Sequence, residues 1–206
     1  INSFKTKKEI IKTPLKLISD VGLNFDNFIK AYEKMDFTKA FTNSMFVTIS
    51  STVIVITLAA MTAYYFVRIN NKIAKVFFAL MVASMIIPFQ AIMIPLVSIY
   101  GAKLGMLNSR VTLIFMHVGF SISMSVFIFH GFIKSNIPIA LEEAAYIDGC
   151  TRTKTFFKII FPLLKPTTAT LVILNVLAFW NDFLLPSLVL TCLLYTSDAA
   201  DDRISV

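Results

Sequence analysis

The chain alternates long apolar windows with short charged segments. No Asp, Glu, Lys or Arg occurs in 40–67, 76–102 or 111–133, windows of 28, 27 and 23 residues. A helix needs about 20 apolar residues to cross a hydrocarbon core of about 30 Å, so each window predicts a transmembrane helix. A fourth window, 166–181, runs into Asp182 and resumes uncharged from 183 to 197. Four spans are therefore expected, near 41–67, 76–100, 111–133 and 167–185. The segment 1–39 is polar and Lys-rich, with one short amphipathic helix expected around Phe25–Lys34.

Polar residues and prolines punctuate the spans. Thr42, Asn43 and Ser44 are candidate caps for the first, each able to accept from a free backbone N–H. Pro88, Gln90 and Pro95 interrupt the second. Proline removes a helical hydrogen bond and crowds the preceding turn, which predicts a kink or break. In lipid the freed groups need a protein or water partner, so the break is expected to face inward, either lining a path or aiding packing. In the third span His117 and His130 are thirteen positions apart, about 220° around a helix, so they fall on nearly opposite faces and cannot share a metal. The fourth carries Asn175 and ends in Trp180, Asn181 and Asp182. An intramembrane carboxylate faces a bundle interior or water, whereas beside Trp180 it could lie at the interface; both placements stay open.

Composition agrees with lipid as the solvent, 57% of the 206 residues being hydrophobic and 15% charged. The net charge of +7 does not indicate nucleic acid, because the basic residues lie between apolar spans. Segments 68–75 and 134–165 carry three and five Lys/Arg, and 101–110 carries two, which places the first two in the cytoplasm by the positive-inside rule. Lys30, Lys34 and Lys39 pull the other way. Cys150 and Cys192 have neither metal-ligand nor redox spacing, and no metal or cofactor is expected. Residue 1 is Ile and no signal peptide precedes the spans, so the native start is expected upstream. Residues 196–206, TSDAADDRISV, turn abruptly polar and acidic and read as a non-native tail of translated adapter sequence.

The stretch Lys134–Lys165, KSNIPIALEEAAYIDGCTRTKTFFKIIFPLLK, is far longer than the other connections. Asn136 can cap a helix with Pro138 in its first turn, and Leu141, Ala144 and Ala145 repeat as a small apolar face beside Glu142 and Glu143. Gly149 suits a left-handed helix end, and Thr151 can cap a second helix that Pro162 stops. A helix-turn-helix on the cytoplasmic side is expected.

Glu143, Ala144, Ala145, Gly149, Ile159 and Pro162 fall on the spacing EAA, three residues, G, nine residues, I, one residue, LP, with Phe161 in place of Leu. That resembles the EAA loop of permeases of binding-protein-dependent ABC importers. EAAYIDG followed by IIFPLLKP is similar to their carbohydrate-uptake, maltose-type branch. Asn43-Ser44, Pro88-x-Gln90, Pro95, Leu104-Gly105, Leu107-Asn108-Ser109 and Trp180-Asn181-Asp182-Phe183 extend the likeness over about residues 10–190. The resemblance implies an all-α polytopic bundle in the bacterial inner membrane, with four of six spans present, an extracytoplasmic segment 1–39 and a permease domain 40–195. It implies that Glu143, Ala144, Ala145, Asp148, Gly149 and Pro162 couple the chain to cytoplasmic ATP-binding subunits. It also implies a second permease subunit and an extracytoplasmic substrate-binding protein. Gln90, Asn181 and Asp182 are the candidates for the solute path.

No GxxxxGK[ST] run is present, so ATP hydrolysis would belong to a partner chain and the expected subunit is not an enzyme. An intramembrane enzyme would have only His117, His130 and Asp182 to work with, poorly placed in sequence, and a secondary transporter would show inverted repeats that are absent. The expected cargo is a sugar or oligosaccharide; the alternative is the same permease class carrying glycerol phosphate, polyamine or phosphate.

Overall fold

The computed structural model describes residues 2–12, 15–16, 25–69 and 71–190; the expected tail 196–206 and Cys192 lie outside them. The described residues form helices joined by short turns, in two compact units that divide between Phe46 and Val47.

In the first unit, helix α1 spans Lys7–Lys12 and α2 spans Asp26–Lys34. The α2 start matches the amphipathic helix expected there. The Asn27 amide donates to the carbonyls of Ser3 at 3.1 Å and Lys5 at 2.8 Å, while the Phe4 ring packs on Phe25 and Phe28. The next helix, α3, covers Phe37–Arg68 and belongs to the second unit from Val47 onward. Its start at Phe37 leaves Thr42, Asn43 and Ser44 inside the helix, where they cap nothing. Thr42 donates instead to the carbonyl of Thr38 at 2.7 Å, the local bond a helical threonine makes when no free terminus is near.

Proline breaks the second apolar window as expected. Helices α4 (Lys72–Ser84) and α5 (Phe89–Val97) meet at 97° across Met85–Pro88, and Pro95 sits within α5. Asn71 caps α4 by accepting from the Ala74 amide at 2.6 Å. Helix α5 widens into a π turn at Ser98–Lys103, and left-handed Gly105 and Asn108 then turn the chain. The Asn108 amide donates to the Val189 carbonyl at 2.7 Å.

Helix α6, Arg110–Asn136, runs unbroken through Asn136. That residue therefore ends a span rather than starting the next helix, and its amide donates back to the Phe132 carbonyl at 3.2 Å. Helix α7 is Ala140–Ile147 and α8 is Arg152–Leu163, the latter carrying a π turn at Phe156–Ile160. Helix α8 ends at Leu163, one residue past Pro162, close to the stop expected there; the widened turn before it accommodates a residue with no N–H to offer the preceding carbonyls. The chain bends by 74° at Leu164 into α9, Lys165–Asn181. After an extended Asp182 comes α10, Leu184–Val189.

By length and composition α3 and α6 can each cross a membrane, and the bent pairs α4–α5 and α8–α9 raise the number to four if each counts as one span. Ala59, Ala60 and Ala63 of α3 pack in one core with Val126, Phe129 and Ile133 of α6 and with Phe156, Ile160 and Leu171. In lipid, helix association rests on close packing rather than on escape from water, and a face of alanines permits that approach. A second core joins Val47, Leu96, Leu113, Met116, Leu185 and Val189. Polar groups cross-link the same helices: the Ser84 and Ser123 hydroxyls meet at 3.1 Å, and the buried Asn175 amide donates to the Leu171 carbonyl at 2.8 Å and to the Ser125 hydroxyl at 3.4 Å.

Candidate functional site

Two places gather the polar residues that the sequence singles out. The first is the α7–α8 corner. Glu142 and Glu143 open α7, where carboxylates favour the positive end of the helix dipole. They diverge in environment because neighbours on a helix point about 100° apart. Glu142 is 3% exposed, whereas Glu143 and Ala144 are exposed and Ala145 is buried. Asp148 and Gly149 form the exposed turn, with Gly149 at φ +76°, a conformation glycine adopts without the cost a β-carbon imposes. Thr151 caps α8 by accepting from the Lys154 amide at 3.3 Å, and Pro162 is exposed farther along.

The buried carboxylate is held by α3. Arg68 Nε donates to Glu142 Oε1 at 2.5 Å, the Tyr64 hydroxyl donates to Oε2 at 2.7 Å, and Arg68 Nη2 donates to the Ile137 carbonyl at 2.9 Å. Sequence reading missed this pairing: Arg68 reads as a loop cation ending a span, and its partner lies 74 positions away. A cavity of about 460 Å³ opens beside the trio, lined by Tyr65, Glu143, Tyr146, Arg152 and Phe157 among others.

The second place is the break after α9. Asp182 Oδ1 accepts from the amides of Leu184 at 3.1 Å and Leu185 at 3.3 Å, which starts α10, while Oδ2 lies 3.1 Å from His117 Nε2. The His117 ring stacks on Phe179 with centroids 4.6 Å apart, and its buried Nδ1 has no hydrogen-bond partner among the described residues. His130 stacks on Phe78, away from this pair, consistent with the opposite faces expected of the two histidines. So His117 and Asp182, far apart in sequence, do meet. They adjoin a cavity of about 460 Å³ between the α4–α5 break and the end of α9, lined also by Ile87, Phe89, Phe120 and Ser121. Of the three path candidates, Asp182 lines this cavity; Gln90 and Asn181 are exposed outside its lining.

A histidine and a carboxylate can work as a base pair, but among the described residues no hydroxyl bonds the free ring nitrogen, so the geometry does not complete a nucleophile. Nor do three His, Cys, Asp or Glu side chains gather for a metal among those residues. What the two places offer is a short helix presented on an anchored corner, and a polar break inside a helical bundle.

Comparison with known proteins agrees with that picture. Residues 55–195 match the family described as binding-protein-dependent transport system inner membrane component. The chain is 42% identical over 92% of its length to "Probable starch degradation products transport system permease protein AmyC" of Thermoanaerobacterium thermosulfurigenes. It is 39% identical over 82% to the melibiose/raffinose/stachyose import permease protein MelC of Bacillus subtilis, and 40% identical over 73% to the multiple sugar-binding transport system permease protein MsmG of Streptococcus mutans. These alignments span 68%, 60% and 54% of the relatives' own lengths. With its apolar helices, its broken spans and a match over two thirds of its sequence, the chain belongs to the inner membrane components of binding-protein-dependent transport systems, multi-pass proteins of the bacterial inner membrane.

Proposed function

We propose that this chain is the permease subunit of an ATP-driven importer that carries a sugar or oligosaccharide into the cell. ATP is hydrolysed by cytoplasmic partner subunits, a second permease completes the pathway, and an extracytoplasmic binding protein delivers the cargo. The relatives' names supply the sugar. The observation that carries the coupling is the division of α7 into a buried side, Glu142 and Ala145, and an exposed side, Glu143 and Ala144, beside the left-handed Gly149 turn. An anchored helix with a free acid and a small residue outward suits a cleft on a partner, because Ala144 permits close approach and Glu143 can pair with a cation there.

The test is Glu143→Ala in the assembled transporter. Truncating one side of an interfacial charge pair costs about 2–5 kcal/mol, so retention of the ATPase on co-purification should fall by more than tenfold while membrane insertion stays normal. Unchanged retention, with unchanged sugar-stimulated hydrolysis, would return α7 to a connector.

We further assign Gln90, Asn181 and Asp182 to the solute path, Asp182 being the member at the cavity. Cysteines at Gln90 and Asp182 should react with small water-soluble thiol reagents, and raffinose or maltodextrin should slow that reaction if either sugar is the cargo. Inert cysteines in every transport state would remove these residues from the path.

A further inference from the structure

We infer that Arg68, Tyr64 and Glu142 form a latch that makes α7 move as one body with α3 and α6. The inference rests on the importer reading above, and it concerns residues on the side of α7 opposite the proposed docking face. Three observations carry it. Glu142 is one of two adjacent acids, yet it is buried, and both carboxylate oxygens are taken by donors from α3. Arg68 uses its second nitrogen to cap the end of α6 at the Ile137 carbonyl, so one guanidinium holds three elements together. The Tyr64 ring in turn packs against Phe156 of α8, tilted by 45° with centroids 5.2 Å apart, which ties the far side of the corner to the same turn of α3.

A planar guanidinium with fixed donors transmits orientation as well as attraction, because its bonds fail when the partners rotate. A movement of α3 against α6 would therefore turn α7 rather than slide beneath it. Glu142, Arg68 and Tyr64 would act through α7 and are positioning residues.

The test removes the latch without leaving a lone buried charge. Replacing a buried ion pair by apolar residues of similar volume is often neutral for stability. Arg68→Met with Glu142→Met, in the complete transporter reconstituted in vesicles, should insert and retain the ATPase as the unaltered protein does. The ratio of sugar moved to ATP hydrolysed should fall about tenfold, the range of an ordinary coupling free energy between sites. Glu142→Gln, whose single amide oxygen can keep the bond from Arg68 but whose NH2 group cannot accept from Tyr64, should lower the ratio less than the double variant does. Tyr64→Phe, which deletes one hydroxyl and leaves the packing, should lower it a few-fold. An unchanged ratio in the double variant and in Tyr64→Phe would overturn the latch while leaving the importer reading intact. Loss of ATPase retention in the double variant would also overturn it, since the pair would then shape the docking face rather than relay movement. If the unaltered chain does not retain an ATPase at all, the importer reading itself fails.

Discussion

Glu142→Ala is expected to destabilise the folded protein by about 3–5 kcal/mol, whereas Glu143→Ala, one position away, should change stability by no more than about 0.5 kcal/mol. The difference follows from what each carboxylate leaves behind. Removing Glu142 strands the Arg68 guanidinium, whose side chain is only 16% exposed, and the Tyr64 hydroxyl loses its acceptor. An uncompensated buried cation costs far more than the pair contributes when intact. Glu143 is exposed and its loss leaves no buried group unpaired. Denaturant titration in detergent micelles, followed by tryptophan emission from Trp180 and by helicity, would check this. Equal losses for the two variants would mean that the Arg68–Glu142 contact carries no weight in the fold.

Phe129→Ala should cost about 3–5 kcal/mol, and Phe127→Ala under about 1 kcal/mol. Phe129 is fully buried where α3, α6 and α8 meet, among Ala60, Ala63, Ile133 and Phe156, while Phe127 lies on the exposed side of the same helix. In a bilayer the penalty is lost packing and a void rather than exposure to water, because lipid tails are as apolar as the side chain. Alanines on α3 cannot fill that void without backbone movement. The same micelle titration reads it, and a loss of similar size at Phe127 would contradict the packing assigned to α6.

The bundle was legible where the signal is local. Charge-free windows mark α3 and α6, Pro88 marks the α4–α5 break, and Gly149 marks the left-handed turn, each being a property of a few consecutive residues. Helix ends were less legible. Thr42 and Asn136 look like N-terminal caps, yet Thr42 lies inside α3 and Asn136 is the last residue of α6, since a good capping residue does not start a helix where packing extends another through it. At the candidate site the Gly149 turn and the Thr151 cap follow from local pattern, whereas Glu143 is singled out by the resemblance of its loop to a known motif. Glu142 is not: which of two adjacent acids turns inward depends on a partner contributed by another helix. The His117–Asp182 contact, across 65 positions, was hidden for the same reason, and thirteen-residue arithmetic within one helix could only separate His117 from His130.

The π turn at Phe156–Ile160 has a consequence for how this chain could change by insertion and deletion. A π turn holds one residue more than the α-helical turn it replaces. Deleting a single residue there would restore regular winding and leave the helical segments on either side, the Gly149 turn included, close to their present phase. The same event between His117 and Asn136 of α6 would have no slack to absorb it and would drag the core out of register. The wide turn is thus a place along the α7–α8 corner where the loss of one codon is taken up locally, and gene variants shorter by one residue there would present the same surface from an unaltered bundle.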